Sequence, residues 1–106
     1  MPKSCLTLVF DPQIEEKMLD LLLEVADEEL FISTPTFSHG TAHGRLSNEE
    51  KVIGRSHAVQ VQILVTEEKQ SHLLVLLQER FAGTGMRYWT APLSSDGEIA
   101  GTLGSS

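Results

Sequence analysis

Three histidines, a glycine pair and one cysteine are the side chains of this sequence whose types and spacing suggest chemistry. His39 and His43 stand four residues apart, and His57 follows them. Imidazoles at i and i+4 converge when a segment turns helical, so together with His57 they could offer nitrogen ligands to zinc or copper. No cysteine cluster accompanies them, and solvated loop histidines would give the same pattern. Gly83-Thr84-Gly85, with Arg87 just behind, could bring backbone N–H groups and a cation up to a phosphate. A helix C-cap followed by a turn into a strand explains the same glycines. Cys5 has no helix N-terminus or base beside it in sequence, so it reads as buried packing and not as a thiolate nucleophile. The acidic pairs Glu15-Glu16, Glu28-Glu29, Glu49-Glu50 and Glu67-Glu68 are adjacent residues. Neighbours on a helix do not face each other across a substrate, so they read as solvated charge. His72 reads as a surface residue of a helix. No base, nucleophile and orienting group assemble, which argues against an enzyme, and the residues assign no cofactor.

The elements that must position these residues follow from periodicity. Cys5–Phe10 alternates as a strand, with Leu6, Leu8 and Phe10 on one face and Cys5, Thr7 and Val9 on the other. Asp11-Pro12 then supplies an N-cap and a first-turn proline for a helix whose stripe is Ile14, Met18, Leu21, Leu22 and Val25. A second strand starts at Leu30 and reaches to Phe37. Pro35 cannot donate a ladder hydrogen bond, which places this strand at an edge or a bulge. His57–Val65 is the cleanest strand, alternating Val59, Val61, Ile63 and Val65 with Ala58, Gln60, Gln62 and Leu64. Thr66 caps a second helix with the stripe Leu73, Leu74, Leu77 and Phe81, ended at Gly83. Met86–Ala91 is a last strand, stopped by Pro92.

The order β-α-β-β-α-β predicts an α+β, ferredoxin-like domain: a four-stranded antiparallel sheet with both helices on one face. Residues 1–93 form the domain and 94–106, rich in Ser and Gly, a mobile tail. The uncovered sheet face would carry Thr7, Val9, Gln60, Gln62, Leu64 and Trp89. That mixture is too apolar to be merely wetted, so it predicts oligomerisation through this face, against the alternative of a half-wet face on a monomer. Ser38–Ser56, between the middle strands, spans 19 residues. Loops beyond about 12 to 15 residues in a compact domain are usually functional or disordered.

Composition closes off several classes. At 106 residues the chain holds one core and not two. Fifteen acidic against eight basic residues, a net charge of -7, repel a phosphate backbone. An RNA-recognition sheet would also need aromatics where the third strand has Gln60 and Gln62. No apolar run approaches the roughly 20 residues of a membrane span, and no leader precedes the first strand. One cysteine forms no internal disulfide, in keeping with a cytoplasmic location.

Three stretches carry a resemblance: Leu8-Val9-Phe10-Asp11-Pro12, Phe37-Ser38-His39-Gly40-Thr41-Ala42-His43-Gly44, and Ala58-Val59-Gln60-Val61-Gln62-Ile63-Leu64-Val65-Thr66-Glu67-Glu68. Over residues 4–93 the pattern resembles the PII signalling superfamily, and more closely an uncharacterised bacterial family of PII-like proteins. The resemblance implies a cytosolic homotrimer with its sheets facing inward, clefts between subunits, and a T-loop that meets ligands and partner proteins. Ser38–Ser56 falls at that T-loop and Gly83–Arg87 at the phosphate-contacting B-loop. Gly83, Gly85 and Arg87 therefore inherit a candidate nucleotide role, joined by Phe37 and Gly40 as candidate ligand-binding residues. The chain departs from the family pattern in lacking a B-loop lysine, where it has Met86-Arg87, and a lysine opening the third strand, where it has Ala58-Val59. The resemblance therefore leaves open whether ATP or 2-oxoglutarate binding is retained. The loop has no tyrosine, so it has no acceptor for uridylylation. PII-like proteins are often encoded beside heavy-metal efflux systems, which gives His39 and His43 a second reason to be considered. Both a nucleotide-sensing regulator and a metal-binding protein thus stand as expectations.

Overall fold

The computed structural model describes residues 2–26, 28–39 and 55–99. Its elements are β1 (Lys3–Phe10), a 3-10 turn (Pro12–Ile14), α1 (Glu15–Val25), β2 (Phe31–His39), β3 (Arg55–Thr66), α2 (Glu67–Phe81) and β4 (Arg87–Pro92). The strands form one antiparallel sheet in the order β2-β3-β1-β4, the ferredoxin-like arrangement that the pattern predicts.

Alternation decides which face is dry. Leu6, Leu8 and Phe10 of β1 stand beside Ile63, Val61 and Val59 of β3, and all six are buried. Met18, Leu21 and Leu22 of α1 and Leu73, Leu77 and Phe81 of α2 join them in one cluster, with Ile14, Val25, Phe31, Leu74 and Met86 packed around it. Both helix stripes thus close over the same sheet face, and each fully buried aliphatic side chain contributes roughly 2 kcal/mol of transfer free energy.

Local chemistry sets the helix ends. Asp11 Oδ1 accepts from the Gln13 N–H at 2.8 Å, but it caps the 3-10 turn, and α1 begins only at Glu15. Thr66 caps α2 as its type suggests, accepting from the Lys69 N–H at 3.3 Å. At the far end Ala82 follows the last helical residue and Gly83 turns left-handed at φ +81°. A side chain there costs backbone energy whatever the space.

The hairpin strands run further than their composition suggests. β2 reaches His39 and β3 starts at Arg55, with Ser38 opposite Ser56 and His39 opposite Arg55. The outermost residues of the expected loop are therefore strand, because a two-stranded ladder can continue through Ser, His and Arg once its register is set by Phe31↔Ile63. β2 is an edge strand, as Pro35 requires. β4 runs from Arg87 to Pro92, one residue later than Met86–Ala91, and the Leu93 N–H adds one further bond to the Lys3 carbonyl at 3.1 Å. Residues 94–99 hold no regular structure and are exposed.

Candidate functional site

The α2–β4 turn is the part of the candidate site that the structure draws together. Gly83 and Gly85 both have positive φ, +81° and +84°. Between them the Thr84 hydroxyl donates to the Phe81 carbonyl at 2.7 Å and accepts from the Met86 N–H at 3.4 Å, and the Thr84 N–H also reaches that carbonyl. The turn is thus tied to the helix end by its middle residue, whose hydroxyl is committed internally. The two glycines, with Leu74, Leu77, Gln78, Phe81, Met86 and Tyr88, surround an open cleft of about 210 Å³. Its floor is the core itself, since Leu8 and Leu77 line it. It opens because two helices do not cover four strands, which leaves the helix side of β4 bare: all six β4 residues are exposed.

Arg87 belongs to the same turn but to the other sheet face. It stands opposite Val9, and Tyr88 opposite Leu8, so Arg87 shares the open face with Trp89 while Tyr88 lines the cleft. Phe37 lies at the opposite edge of the sheet, on β2, with β3 and β1 between it and β4. Its ring meets that of His57 at 4.9 Å between centroids, tilted by 47°. Gly40 and His43 lie outside the described residues. Within one chain, then, Gly83, Gly85 and Arg87 cluster at one edge and Phe37 stands at the other.

His57 faces Phe37 and His39 faces Arg55, so by alternation both histidines occupy one face of the hairpin as diagonal neighbours. Among the described residues no group of three or more histidine, cysteine or acidic side chains is placed to hold a metal ion.

The open sheet face is a graded surface. One row across it reads Ile32, Gln62, Thr7, Trp89, and the next Thr34, Gln60, Val9, Arg87. Thr7 is buried at 2% exposure although neither helix covers it, whereas Ile32 and Trp89 at the row's ends are half-exposed. Cys5 is on this face, as its alternation with Leu6 and Leu8 requires, but it is only half-buried, which corrects its reading as buried packing. Its Sγ lies 3.9 Å from Thr7 Oγ1 and accepts from Gln62 Nε2 at 3.8 Å. Parity of the strand, not apolarity of the side chain, decides its place.

Glu29 is the residue that sequence reasoning misses. Its place beside Glu28 suggests a solvated acid, yet its side chain is 10% exposed and bridges Lys69 at 2.9 Å and Lys3 at 3.5 Å. The hydrogen bond from Lys69 holds its carboxyl below the ordinary value of 4.5, helped by the charges of Lys69 and Lys3 and opposed by burial. Only the fold brings residues 3, 29 and 69 together, so no local spacing announces the bridge. Of the other acids in adjacent pairs, Glu16, Glu28, Glu67 and Glu68 are exposed as expected and Glu15 is half-buried, and His72 is on the surface.

Comparison with known proteins fits this geometry. No curated protein matches the chain. Among solved structures, a DUF3240 family protein from Shewanella baltica superposes with a TM-score of 0.73 at 18% identity, covering 92% of this chain and 97% of that one. CPII from Thiomonas intermedia, a nitrogen regulatory PII-like protein bound to ADP, AMP and bicarbonate, gives 0.61 at 19% identity over 93% and 98%. The periplasmic divalent cation tolerance protein CutA from Archaeoglobus fulgidus gives 0.64 at 12% identity over 89% and 86%. At these identities the likeness is one of fold, and it is the PII-like fold. The model of a protein family of unknown function, DUF3240, matches residues 1–100, and the chain belongs to that family.

Proposed function

We propose that this protein is a trimeric, non-enzymatic PII-like regulator of the cytoplasm. It takes a small effector, an adenine nucleotide by preference, in clefts between subunits, and it signals to a protein partner through the 38–56 segment. The observation that carries the reading is the separation of the candidate ligand residues. Gly83, Gly85 and Arg87 sit at the β4 edge and Phe37 at the β2 edge, so these groups can meet only between copies. The open face supports assembly, because Ile32, Trp89 and Leu64 present apolar surface that no described element of the same chain covers. The left-handed glycines leave space beside the backbone, since a Cβ at either would have nothing within 4 Å, as close approach of a phosphate needs. The nucleotides held by the Thiomonas protein supply the chemical class. No helix among the described residues is long and apolar enough to cross a membrane.

The test follows melting temperature during titration with ADP, AMP, ATP and cyclic nucleotides. A ligand at a hundred times its Kd stabilises by about 2.7 kcal/mol, several degrees for a domain of this size. Loss of the shift in Arg87→Gln supports the assignment. Absence of any shift with every nucleotide overturns it, and a monomer at micromolar concentration by solution mass measurement overturns the trimer.

A second reading rests on the shared face of His39 and His57, with His43 as a further ligand: binding of zinc or copper on the hairpin, as in a heavy-metal resistance protein. Titration with Zn(II) and Cu(II) separates the two. A metal-induced shift that survives His39→Ala combined with His43→Ala removes this site.

A further inference from the structure

The α2–β4 cleft is walled by Leu74, Leu77 and Phe81 on one side and by Met86 and Tyr88 on the other, and no charged side chain is among its lining residues. Gln78 and the Tyr88 hydroxyl are its polar side-chain groups. At about 210 Å³ it is larger than the roughly 150 Å³ that holds a benzene ring. It is smaller than the roughly 300 Å³ at which sites for whole drug-sized ligands begin. The space therefore suits a single ring with a short arm.

The electrostatic setting of the cleft is negative. α2 ends against it, since Phe81, the last helical residue, and Ala82 and Gly83 beyond it all belong to the wall. A helix C-terminus carries the negative pole of the dipole, about half a charge, on carbonyls that lack partners within the helix. The two arginines nearest in sequence do not offset it. Arg80 follows Gln78 by two residues on α2, about 200° round the helix, and Arg87 is on the other face of the sheet. The turn offers little to an anion inside the cleft, because the N–H groups of Thr84 and Met86 already donate to the Phe81 carbonyl and the Thr84 hydroxyl. The net charge of -7 adds a field that draws cations and repels anions. Tyr88 is 58% exposed, so its ring has a π face free to meet an apolar cation.

We propose that this cleft is a binding site for a small organic cation, a protonated amine carried on a single ring. The ring fills the space between Leu74, Phe81 and Met86. The ammonium lies at the rim, between the Tyr88 ring and the C-terminal end of α2. This goes beyond the nucleotide reading, whose ligand lies between copies and whose cation, Arg87, is on the other sheet face. It stands whether or not a nucleotide binds.

Benzylammonium, benzyl alcohol and benzoate share a ring and differ in charge, so they are the probes. They are titrated at pH 7 and constant ionic strength while the amide shifts of Thr84, Gly85 and Tyr88 are followed by NMR. Benzylammonium is expected to bind about tenfold more tightly than benzyl alcohol, and benzoate more weakly than either. Gln78 is exposed and outside the core cluster, so its charge can be varied without disturbing the fold. Gln78→Lys lowers the affinity for benzylammonium and Gln78→Glu raises it, each by about threefold or more, while benzyl alcohol changes by less than about twofold. Benzoate binding as tightly as benzylammonium overturns the proposal, as does an affinity for benzylammonium that neither variant moves. Shifts confined to amides elsewhere, or none with any of the three probes, overturn the site itself. The probes carry no phosphate, so a nucleotide titration that fails leaves this test intact.

Discussion

Lys69 donates to Glu29 at 2.9 Å, and the other oxygen of the same carboxylate reaches Lys3 at 3.5 Å. The residues come from the start of α2, the α1–β2 connection and the start of β1. One largely buried carboxylate thus pins three segments at the end of the sheet away from the α2–β4 turn.

The bridge makes stability depend on pH in a defined direction. The folded-state pKa of Glu29 lies below its ordinary value of 4.5, so the bridge contributes fully above that value and is lost as pH falls through the lower, folded-state value. Urea midpoints measured from pH 6 down to pH 3 fall for the wild type. In Glu29→Gln, about 1 kcal/mol less stable at pH 7, that part of the acid slope disappears. Equal slopes in the two proteins would show that Glu29 does not hold its proton less tightly in the folded state.

Gly83 and Gly85 differ from Gly97 although a Cβ meets open space at all three. Positive φ at the first two makes Gly83→Ala and Gly85→Ala each cost about 1 kcal/mol, whereas Gly97→Ala changes the urea midpoint by no more than the error of the measurement. If all three alanine variants unfolded alike, the left-handed turn would not be a constraint.

Capping at Thr66 is measurable at the surface. Its hydroxyl accepts from the Lys69 N–H, and Thr66→Ala loses about 1 kcal/mol while Thr66→Ser retains most of it. Thermal unfolding of the three proteins ranks them.

Leu22 has no exposed surface and sits in the core cluster. Leu22→Ala leaves a cavity and costs about 3 kcal/mol. Leu23→Ala, one residue on and 58% exposed, leaves the urea midpoint nearly unchanged if α1 presents the face described.

Where alternation and helical spacing hold, the sequence is readable. Leu6, Leu8, Phe10, Met18, Leu21, Leu22, Val59–Val65 in alternation, Leu73, Leu77 and Phe81 are the core, and Pro35 marks its strand as an edge. What escapes depends on long-range placement. Parity sets Cys5 beside Thr7 and Val9 from the sequence alone, but its half-burial escapes because it depends on what covers that face. Glu29 escapes because its partners lie 26 and 40 residues away. The boundaries at Ser38 and Ser56 slip because polar residues in a two-stranded ladder look like loop until their partners are known. Of the candidate site, Gly83 and Gly85 are legible as backbone requirements, while the separation of Arg87 from the cleft by strand parity emerges only with the register against β1.

The rung Phe10↔Val59 is the last that β1 shares with β3, yet the β2–β3 ladder runs on to His39↔Arg55. Beyond that rung the hairpin is, among the described residues, a cantilever: two strands, without the third that gives a sheet independent stability. A load at the His39↔Arg55 rung is resisted mainly where the ladder joins the full sheet, and the core behind that joint need not deform. Its reach is adjustable in steps of two residues per strand, since even increments keep every side chain on its face and odd ones invert the tip.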